Sequence, residues 1–316
     1  MNKKKRGIWL SISLALLVII PILAQLRIKI GGVNVQFSGW IDIFNNILIF
    51  GLLAISLNLL IGNAGQISIG HAAFFAIGAY MSGLLMMDYS FPFFIALLVS
   101  AIIAGTIGFL IGMPVLRLEG HYLGIATLGV GVVIEELAHK DIFKKVGQKL
   151  GRELYNFNIF GYNFKGVGKV YFGRTTGIEN SFFTYLTILI ITILTIILVK
   201  NILRSKTGRS LNALRDSQTA ARSMGVNIAL YKNIAFGLSA FIAGFAGSLY
   251  AHYVGSFDPE SFNLALSLIL LALITIGGLA TIEGSMFGAI FFVLLDKVFV
   301  TVMPEKLQGP SRNLLI

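Results

Sequence analysis

The sequence predicts an all-α polytopic membrane protein, with about 8–10 transmembrane or half-membrane helices and an internal repeat of glycine-broken helices. Three observations carry that prediction. Of 316 residues, 56% are hydrophobic and only 12% are charged, against roughly 25% charged in an ordinary soluble domain. Mean hydropathy is +0.84. The apolar residues fall in long runs, and two of these are interrupted by glycine-rich polar stretches rather than by charged loops. One bundle accounts for residues 1–316. The net charge is +11, but the cations gather at the N-terminus and between apolar spans, which argues against nucleic-acid binding. With no cysteine there are no disulfides, metal thiolates or thiol catalysis.

Lys3, Lys4, Lys5 and Arg6 precede an apolar run from Ile8 to Leu26. A basic start before a short apolar stretch also describes a secretory signal peptide, with Ala24 near a cleavage point. The favoured expectation is a retained first span with a cytoplasmic N-terminus. From Ile43 to Met87 no Asp, Glu, Lys or Arg occurs. As one helix this stretch would be roughly 68 Å long, about twice the hydrocarbon thickness, so it must break. The break is legible from Gly62 to His71, where Gly62, Gly65 and Gly70 alternate with Asn63, Gln66, Ser68 and His71. Irregular backbone at membrane depth survives only inside protein or along a watery cavity. His71 reads either as a cavity-lining group or as a packing histidine that caps a helix turn. No second His, Cys or carboxylate stands at metal-ligand spacing, so no metal site is expected.

Tyr89 to Leu116 is a further span, with Ala101, Gly105, Gly108 and Gly112 placed for close helix crossing. His121 to Ala138 is a shorter apolar helix. Glu135 and Glu136 near its end are adjacent, so they point about 100° apart on a helix and do not form a catalytic pair. Residues 139–180 form an extracytoplasmic excursion by the count of spans, although Lys140 to Asn180 carries eight Lys or Arg and three acids. Such a charge excess weighs less in longer loops. Phe182 to Val199 is a span that delivers the chain to residues 204–232.

That loop is the cationic handle of the molecule. Between Lys200 and Lys232 lie seven Lys or Arg and one acid, Asp216. A cationic segment between spans lies on the cytoplasmic side. Leu211, Leu214, Gln218, Ala221 and Met224 recur at helical spacing and share a face, while Arg209, Arg215, Asp216 and Arg222 fall mostly outside it. Gly225 reads as the stop. Pattern alone leaves open a helix resting on anionic lipid. Ala240, Gly244 and Ser248 then form a small-residue ridge for close packing. Phe262 to Ile276 is apolar, Gly277 to Ser285 is a second glycine break, and Met286 to Leu295 is apolar again, with Asp296-Lys297 as a candidate helix end. Glu283 is the intramembrane acid of most interest, unless it sits at a rim.

Four ordered blocks, spanning roughly residues 45 to 295, resemble the inner-membrane permease subunits of branched-chain amino-acid ABC importers. The first is GNAGQISIGHAAFFAIGAY, through Gly62, Gly65, Gln66, Ser68, Gly70, His71, Ala72, Ala73, Phe74, Ile77, Gly78, Ala79 and Tyr80. The second runs through Arg117, Gly120, Tyr122, Gly124, Ile125, Thr127, Leu128 and Gly129. The third joins Gly208, Arg209, Leu211, Ala213, Arg215, Asp216, Ala220, Ala221, Gly225, Val226 and Asn227 to a helix marked by Tyr231, Lys232, Ala235, Phe236, Ser239, Ala240, Ala243, Gly244, Ala246 and Gly247. The fourth is met at Gly277, Gly278, Thr281, Gly284, Gly288 and Ala289, and departs from the family pattern at Ala280 and Ser285. The family's Thr-Gly-Gly run after the helix that corresponds to His121–Ala138 is replaced by KKVGQKLGRE, with a partial echo at Thr175-Thr176-Gly177-Ile178.

The resemblance implies a single transmembrane permease domain whose 204–232 loop is a cytoplasmic coupling loop docking on an ATPase subunit. Arg209, Leu211, Leu214, Arg215, Asp216, Ala221, Met224 and Gly225 would carry that coupling. Gly62, Gly65, Gln66, Ser68, Gly70, His71, Gly277, Gly278, Thr281, Glu283 and Gly284 are the expected pathway or helix-break residues. Expected partners are the ABC ATPase subunits, a second permease subunit, an extracytoplasmic solute-binding protein and the bilayer of a prokaryotic inner membrane. The solute expected from the family is a branched-chain amino acid or a related small polar compound. No Walker signature is present; GYNFKGVGK at Gly161 to Lys169 has the wrong spacing and no hydroxyl. No cofactor is expected on this chain, and ATP and Mg would sit on the partner ATPase. The competing reading is a self-sufficient channel or secondary carrier, for which Glu283 and His71 are the only attractive ionisable groups. A membrane-embedded enzyme would lack any convergent acid, base, nucleophile or metal set.

Overall fold

The computed structural model describes residues 28–30, 33–35, 38–116, 118, 120–140, 143, 145–147, 158–159, 162–163 and 178–302. The first-span and signal-peptide readings, most of the 139–180 excursion and the Thr175–Gly177 echo lie outside the described residues.

Ten α-helices lie among the described residues. They are α1 (Ser38–Asn58), α2 (Ala72–Met87), α3 (Phe93–Val115), α4 (His121–Ala138), α5 (Ile178–Arg204), α6 (Lys206–Asp216), α7 (Gln218–Ser223), α8 (Ile228–Val254), α9 (Leu264–Gly277) and α10 (Ile282–Val302). Two small antiparallel hairpins accompany them, β1 (Ile28–Ile30) with β2 (Val33–Val35) and β3 (Asn158–Ile159) with β4 (Tyr162–Asn163). Six segments are long and apolar enough to cross a membrane, and α2 is a shorter apolar helix. With α10, the apolar helices support the all-α polytopic reading.

The centre of the bundle is α1 and α8. Both are apolar nearly all round, as helices enclosed by protein are. In α1, Ile49, Leu52, Leu53, Ala54 and Leu57 are fully buried. Around α8 pack α3 and α2, and around α1 pack α10, α5 and α9. The outer faces of α3, α4, α5 and α10 remain apolar and exposed, for example Leu98, Ile125, Leu194 and Phe291, which suits contact with lipid.

Strand direction has its helical counterpart in the contact pairs. Gly78 meets Gly244 and Met86 meets His252, so α2 runs parallel to α8. Gly105 faces Gly237 and Phe241, whereas Phe93 stacks on His252, so α3 runs antiparallel to α8. Asn58 meets Ser285 while Phe50 meets Phe292, so α10 is antiparallel to α1. The handle therefore occupies one end of the bundle. At the other end Tyr253 Oη donates to Asp42 Oδ1 at 2.9 Å, and Phe75, Tyr80, Tyr250, Phe257 and Phe262 form an aromatic cluster. Phe143 and Gly147 of the excursion meet that cluster: the Phe143 ring packs on Tyr80, and the Phe257 N–H donates to the Gly147 carbonyl.

The small-residue ridge of α8 works as expected. A Cβ on Gly78 would overlap the Gly244 carbonyl, and one on Gly244 would overlap the Ala104 methyl. Three backbones thus approach at one level, where packing rather than hydrophobicity holds helices together in lipid. Three sequence expectations are corrected. The Gly277–Ser285 break is shorter, because α10 begins at Ile282. Asp296-Lys297 does not end the last helix, which continues to Val302. The handle is not one helix, as described below.

Gly78→Ala should therefore destabilise the detergent-solubilised protein by about 1–3 kcal/mol through overpacking. Gly129 on α4 has nothing within 4 Å of an added Cβ. Gly129→Ala should stabilise by up to about 1 kcal/mol through helix propensity. Thermal unfolding of both variants checks the contrast; equal effects would mean that the α2–α8 contact is not close-packed.

Candidate functional site

The first break starts where α1 passes into a π-helical turn, Leu59–Asn63. The Gly65 N–H reaches the Ile61 carbonyl and the Gln66 N–H the Leu60 carbonyl, both at 3.1 Å. Gly65 has φ +68°, a conformation that suits glycine. From Gln66 to Gly70 burial alternates: Gln66, Ser68 and Gly70 point inward, while Ile67 is exposed and Ile69 half-buried. The segment is extended, so its backbone polar groups need partners from elsewhere. Neighbouring helices supply them. Ile69 N–H donates to Thr127 Oγ1 at 3.0 Å, and Ala72 N–H to Ser267 Oγ at 3.0 Å. Gln66 Nε2 donates to the Lys232 carbonyl at 3.2 Å.

His71 is fully buried at the head of α2 and makes no side-chain capping bond. It bonds Ser56 instead. The Ser56 hydroxyl donates its proton to the Leu53 carbonyl at 2.6 Å, so His71 Nε2 must be the donor in its 2.7 Å bond to Ser56 Oγ. The tautomer is thereby fixed, with Nδ1 unprotonated. Ser239 Oγ on α8 donates to the Ser56 carbonyl at 2.6 Å. A small polar knot thus ties α1, α2 and α8 at one depth.

The second break is the α9–α10 turn, Gly278 to Thr281. Asn58, the last residue of α1, fastens it. Asn58 Nδ2 donates to Ser285 Oγ at 2.7 Å, to the Thr281 carbonyl at 2.9 Å and to the Gly278 carbonyl at 3.2 Å. Its Oδ1 accepts from Ala280 N–H at 2.7 Å. Ala280 is left-handed, at φ +62°. Glu283 lies exposed in the first turn of α10, at the handle end, where a helix N-terminus favours a carboxylate. Thr281 is exposed, Gly284 is buried, and Gly277 approaches Gly284 closely.

The handle folds as two helices. Ser217, at φ −162° and ψ 114°, interrupts the expected single face, and its side chain caps α7 through Ala220 N–H. Leu211, Leu214 and Ala221 are buried as expected, but Met224 is 84% exposed. The change of direction at Ser217 rotates Met224 off that face. Gly225, at φ +79°, ends α7: its N–H bonds the Arg222 carbonyl and the Val226 N–H bonds the Ala221 carbonyl. Arg209, Arg215 and Asp216 are exposed. Arg215 Nη2 pairs with Asp216 Oδ1 at 2.9 Å, while its Nη1 donates to the Gly62 carbonyl at 3.2 Å. Asn63 Nδ2 adds a 3.4 Å contact to Asn212 Oδ1.

The structure therefore brings Gly62, Gly65 and Arg215 together, and places Gly62 against Ala280. It separates Glu283 from His71, which belongs to the buried knot. The motif search missed Asn58, Ser56, Ser239, Ser267 and Thr127 as partners of the breaks. A polar residue inside an apolar run was the available signal for Ser56 and Asn58. Among the described residues no cluster of three or more His, Cys, Asp or Glu forms.

Fold and site define a multi-pass membrane protein, with two buried helix breaks tied to one exposed basic loop. The family described as branched-chain amino acid transport system / permease component matches residues 39–312, and the chain belongs to it. It is 34% identical over 279 residues to the high-affinity branched-chain amino acid transport system permease protein LivM of Escherichia coli (strain K12), covering 85% of this chain and 64% of that protein. To the protein of the same name from Salmonella typhimurium (strain LT2) it is 33% identical over 296 residues, covering 91% and 68%. The chain thus spans about two thirds of the length of these curated relatives. The fructose import permease protein FrcC of Rhizobium meliloti is 24% identical over 291 residues, covering 90% and 76%. No solved structure matches.

Two measurements test the site. Ser56→Ala removes the acceptor for His71 Nε2–H and should cost about 1–3 kcal/mol, the penalty of a buried unpaired donor, seen as a lower melting temperature. Ala280→Gly should stabilise by about 0.5 kcal/mol, because relief of a left-handed alanine outweighs the added unfolded-state entropy. A loss of stability instead would mean that the turn is not strained.

Proposed function

We propose that the chain is the membrane-spanning permease subunit of an ATP-driven importer for branched-chain amino acids or a related small polar solute. It forms the solute pathway with a second permease subunit in a prokaryotic inner membrane. A solute-binding protein delivers cargo at the end of the bundle opposite the handle. ATPase subunits, holding the ATP and Mg, dock on α6 and α7. The carrying observation is the handle's construction: Leu211, Leu214 and Ala221 anchor it inward, while Arg209, Arg222 and Met224 present a cationic and apolar surface outward. A helix meant only for lipid would bury its apolar side in the interface; here that side is spent on the bundle.

Direction fits the same reading. The loop joins α5 to α8 at one end, and a cationic loop of this length faces the cytoplasm. Since α1 starts at the other end, a span ahead of it would begin in the cytoplasm. The breaks give the pathway wall its local freedom, with Gly65, Ile67 and Thr281 on the open side and Gln66, Ser68, Gly70 and His71 behind it.

The experiment is co-purification in mild detergent with the proteins of the native membrane. Arg222→Glu combined with Met224→Asp alters only exposed side chains and should release the ATPase while the melting temperature stays unchanged. The reading fails if no ATPase accompanies the wild-type chain and the purified chain alone moves leucine into liposomes.

A further inference from the structure

We infer that Asn58 is a positioning residue that makes the α9–α10 turn follow the handle. The inference rests on the importer reading and names a device inside it. Asn58 touches no solute. It acts through Gly62 and Arg215 on one side and through Ala280 on the other.

The chemistry requires an asparagine. The partners around the side chain are acceptors at Gly278, Thr281 and Ser285 and one donor, the Ala280 N–H. A carboxamide offers two hydrogens and one acceptor oxygen from a short stem. Aspartate lacks the donors and leucine lacks both. Three of the four partners lie in the turn and the fourth, Ser285, in the first turn of α10, all more than two hundred positions away in sequence. That turn is held with Ala280 in a left-handed conformation, which an alanine does not choose unaided. Asn58 is thus the group that selects the shape of the turn.

The same residue is the last of α1 before the π turn. One turn later, Gly62 is squeezed between the Asn58 carboxamide and the Ala280 backbone: an added Cβ would overlap both. The Gly62 carbonyl accepts from Arg215 Nη1. The Arg215 backbone also lies against Gly65. Its guanidinium is divided, with Nε and Nη2 on Asp216 and Nη1 on the bundle. From the handle to the second break the contacts run Arg215, Gly62, Asn58, Ala280 without a gap. A π turn holds one residue more per turn than an α turn and often marks a functional joint. It is the one segment of this chain of contacts with a ready alternative geometry. A push on α6 therefore reaches Gly62, which lies against the Ala280 backbone, and Asn58 holds the turn in the shape that keeps this contact, so the two breaks move together.

The test uses the assembled complex of this chain with its ATPase and second permease subunit. Because the natural chain has no cysteine, Leu98→Cys on the lipid-facing side of α3 and Leu279→Cys in the turn take spin labels site-specifically. The distance between them is measured without nucleotide and with ATP and vanadate. The expected result is an ATP-dependent shift that Asn58→Leu reduces by more than about fivefold while ATP hydrolysis stays within about twofold. Arg215→Ala, which removes the bond to the Gly62 carbonyl, should reduce the shift as well in complexes that retain their ATPase on gel filtration. The double variant should be no worse than the worse single one, since both break one linkage. The inference is overturned if the wild-type turn does not move, if Asn58→Leu or Arg215→Ala keeps the full shift, or if shift and hydrolysis fall in proportion. Should Asn58→Leu not fold, Asn58→Asp takes its place, since it keeps the size and the acceptor oxygen but loses the donated hydrogens, and it must reduce the shift too. Failure of the ATPase to associate with the wild-type chain is a separate result, and sinks the importer reading itself.

Discussion

A helix interrupted inside a membrane frees backbone hydrogen-bonding groups where no water is available to satisfy them. The structure depends on meeting that demand at two places. At the first break, Thr127 on α4 and Ser267 on α9 accept from the Ile69 and Ala72 N–H groups, and the Lys232 carbonyl on α8 accepts from the Gln66 side chain. At the second, Asn58 serves one backbone N–H and two carbonyls, and the Thr281 and Ser285 hydroxyls donate to the same two carbonyls. These polar groups come from helices that must be close enough to reach, so the small residues of α2, α3 and α8 are part of the same solution. Gly78, Gly244 and Ala104 let three helices converge, and the polar partners then come within range.

The arrangement buries the polar side of the first break within the bundle and leaves one side of it exposed. Gln66, Ser68 and His71 are buried behind Gly65 and Ile67. His71 bonds Ser56 on α1, Gln66 bonds the Lys232 carbonyl on α8, and the Ala72 N–H bonds Ser267 on α9, so these helices are held in register with the break. The handle is connected to this interior by a few polar contacts and by the buried Leu211 and Leu214, whereas its charges face out. Such a loop can be gripped from outside and still be joined to the part of the bundle with the least regular backbone.

Much of this was legible in the sequence. The length of the uncharged stretch from Ile43 to Met87 required a break, and the glycines and polar residues located it at 62–71. His121–Ala138 was bounded by its charges. The ridge at Ala240 and Gly244 announced close packing. Errors arose where a local feature overrode periodicity. Ser217 can cap a helix with its own side chain, so it divides the handle and turns Met224 outward. The second glycine run was read as a long break, yet Glu283, Gly284 and Ser285 are already helical, because the Thr281 Oγ1 caps the start of α10 through Gly284 N–H.

By itself the sequence determined the class, the order of the apolar helices and the family. These follow from composition, run length and ordered motifs, which are local properties of the chain. Tertiary structure alone decided which polar residue serves which break. Asn58 and Ala280, or His71 and Ser56, are paired by helix direction and packing depth, and no spacing rule connects positions that meet only after the bundle has closed. It also decided that Arg215 faces two ways, toward Asp216 and toward the Gly62 carbonyl, since a residue's position on a helix face does not say what lies opposite it.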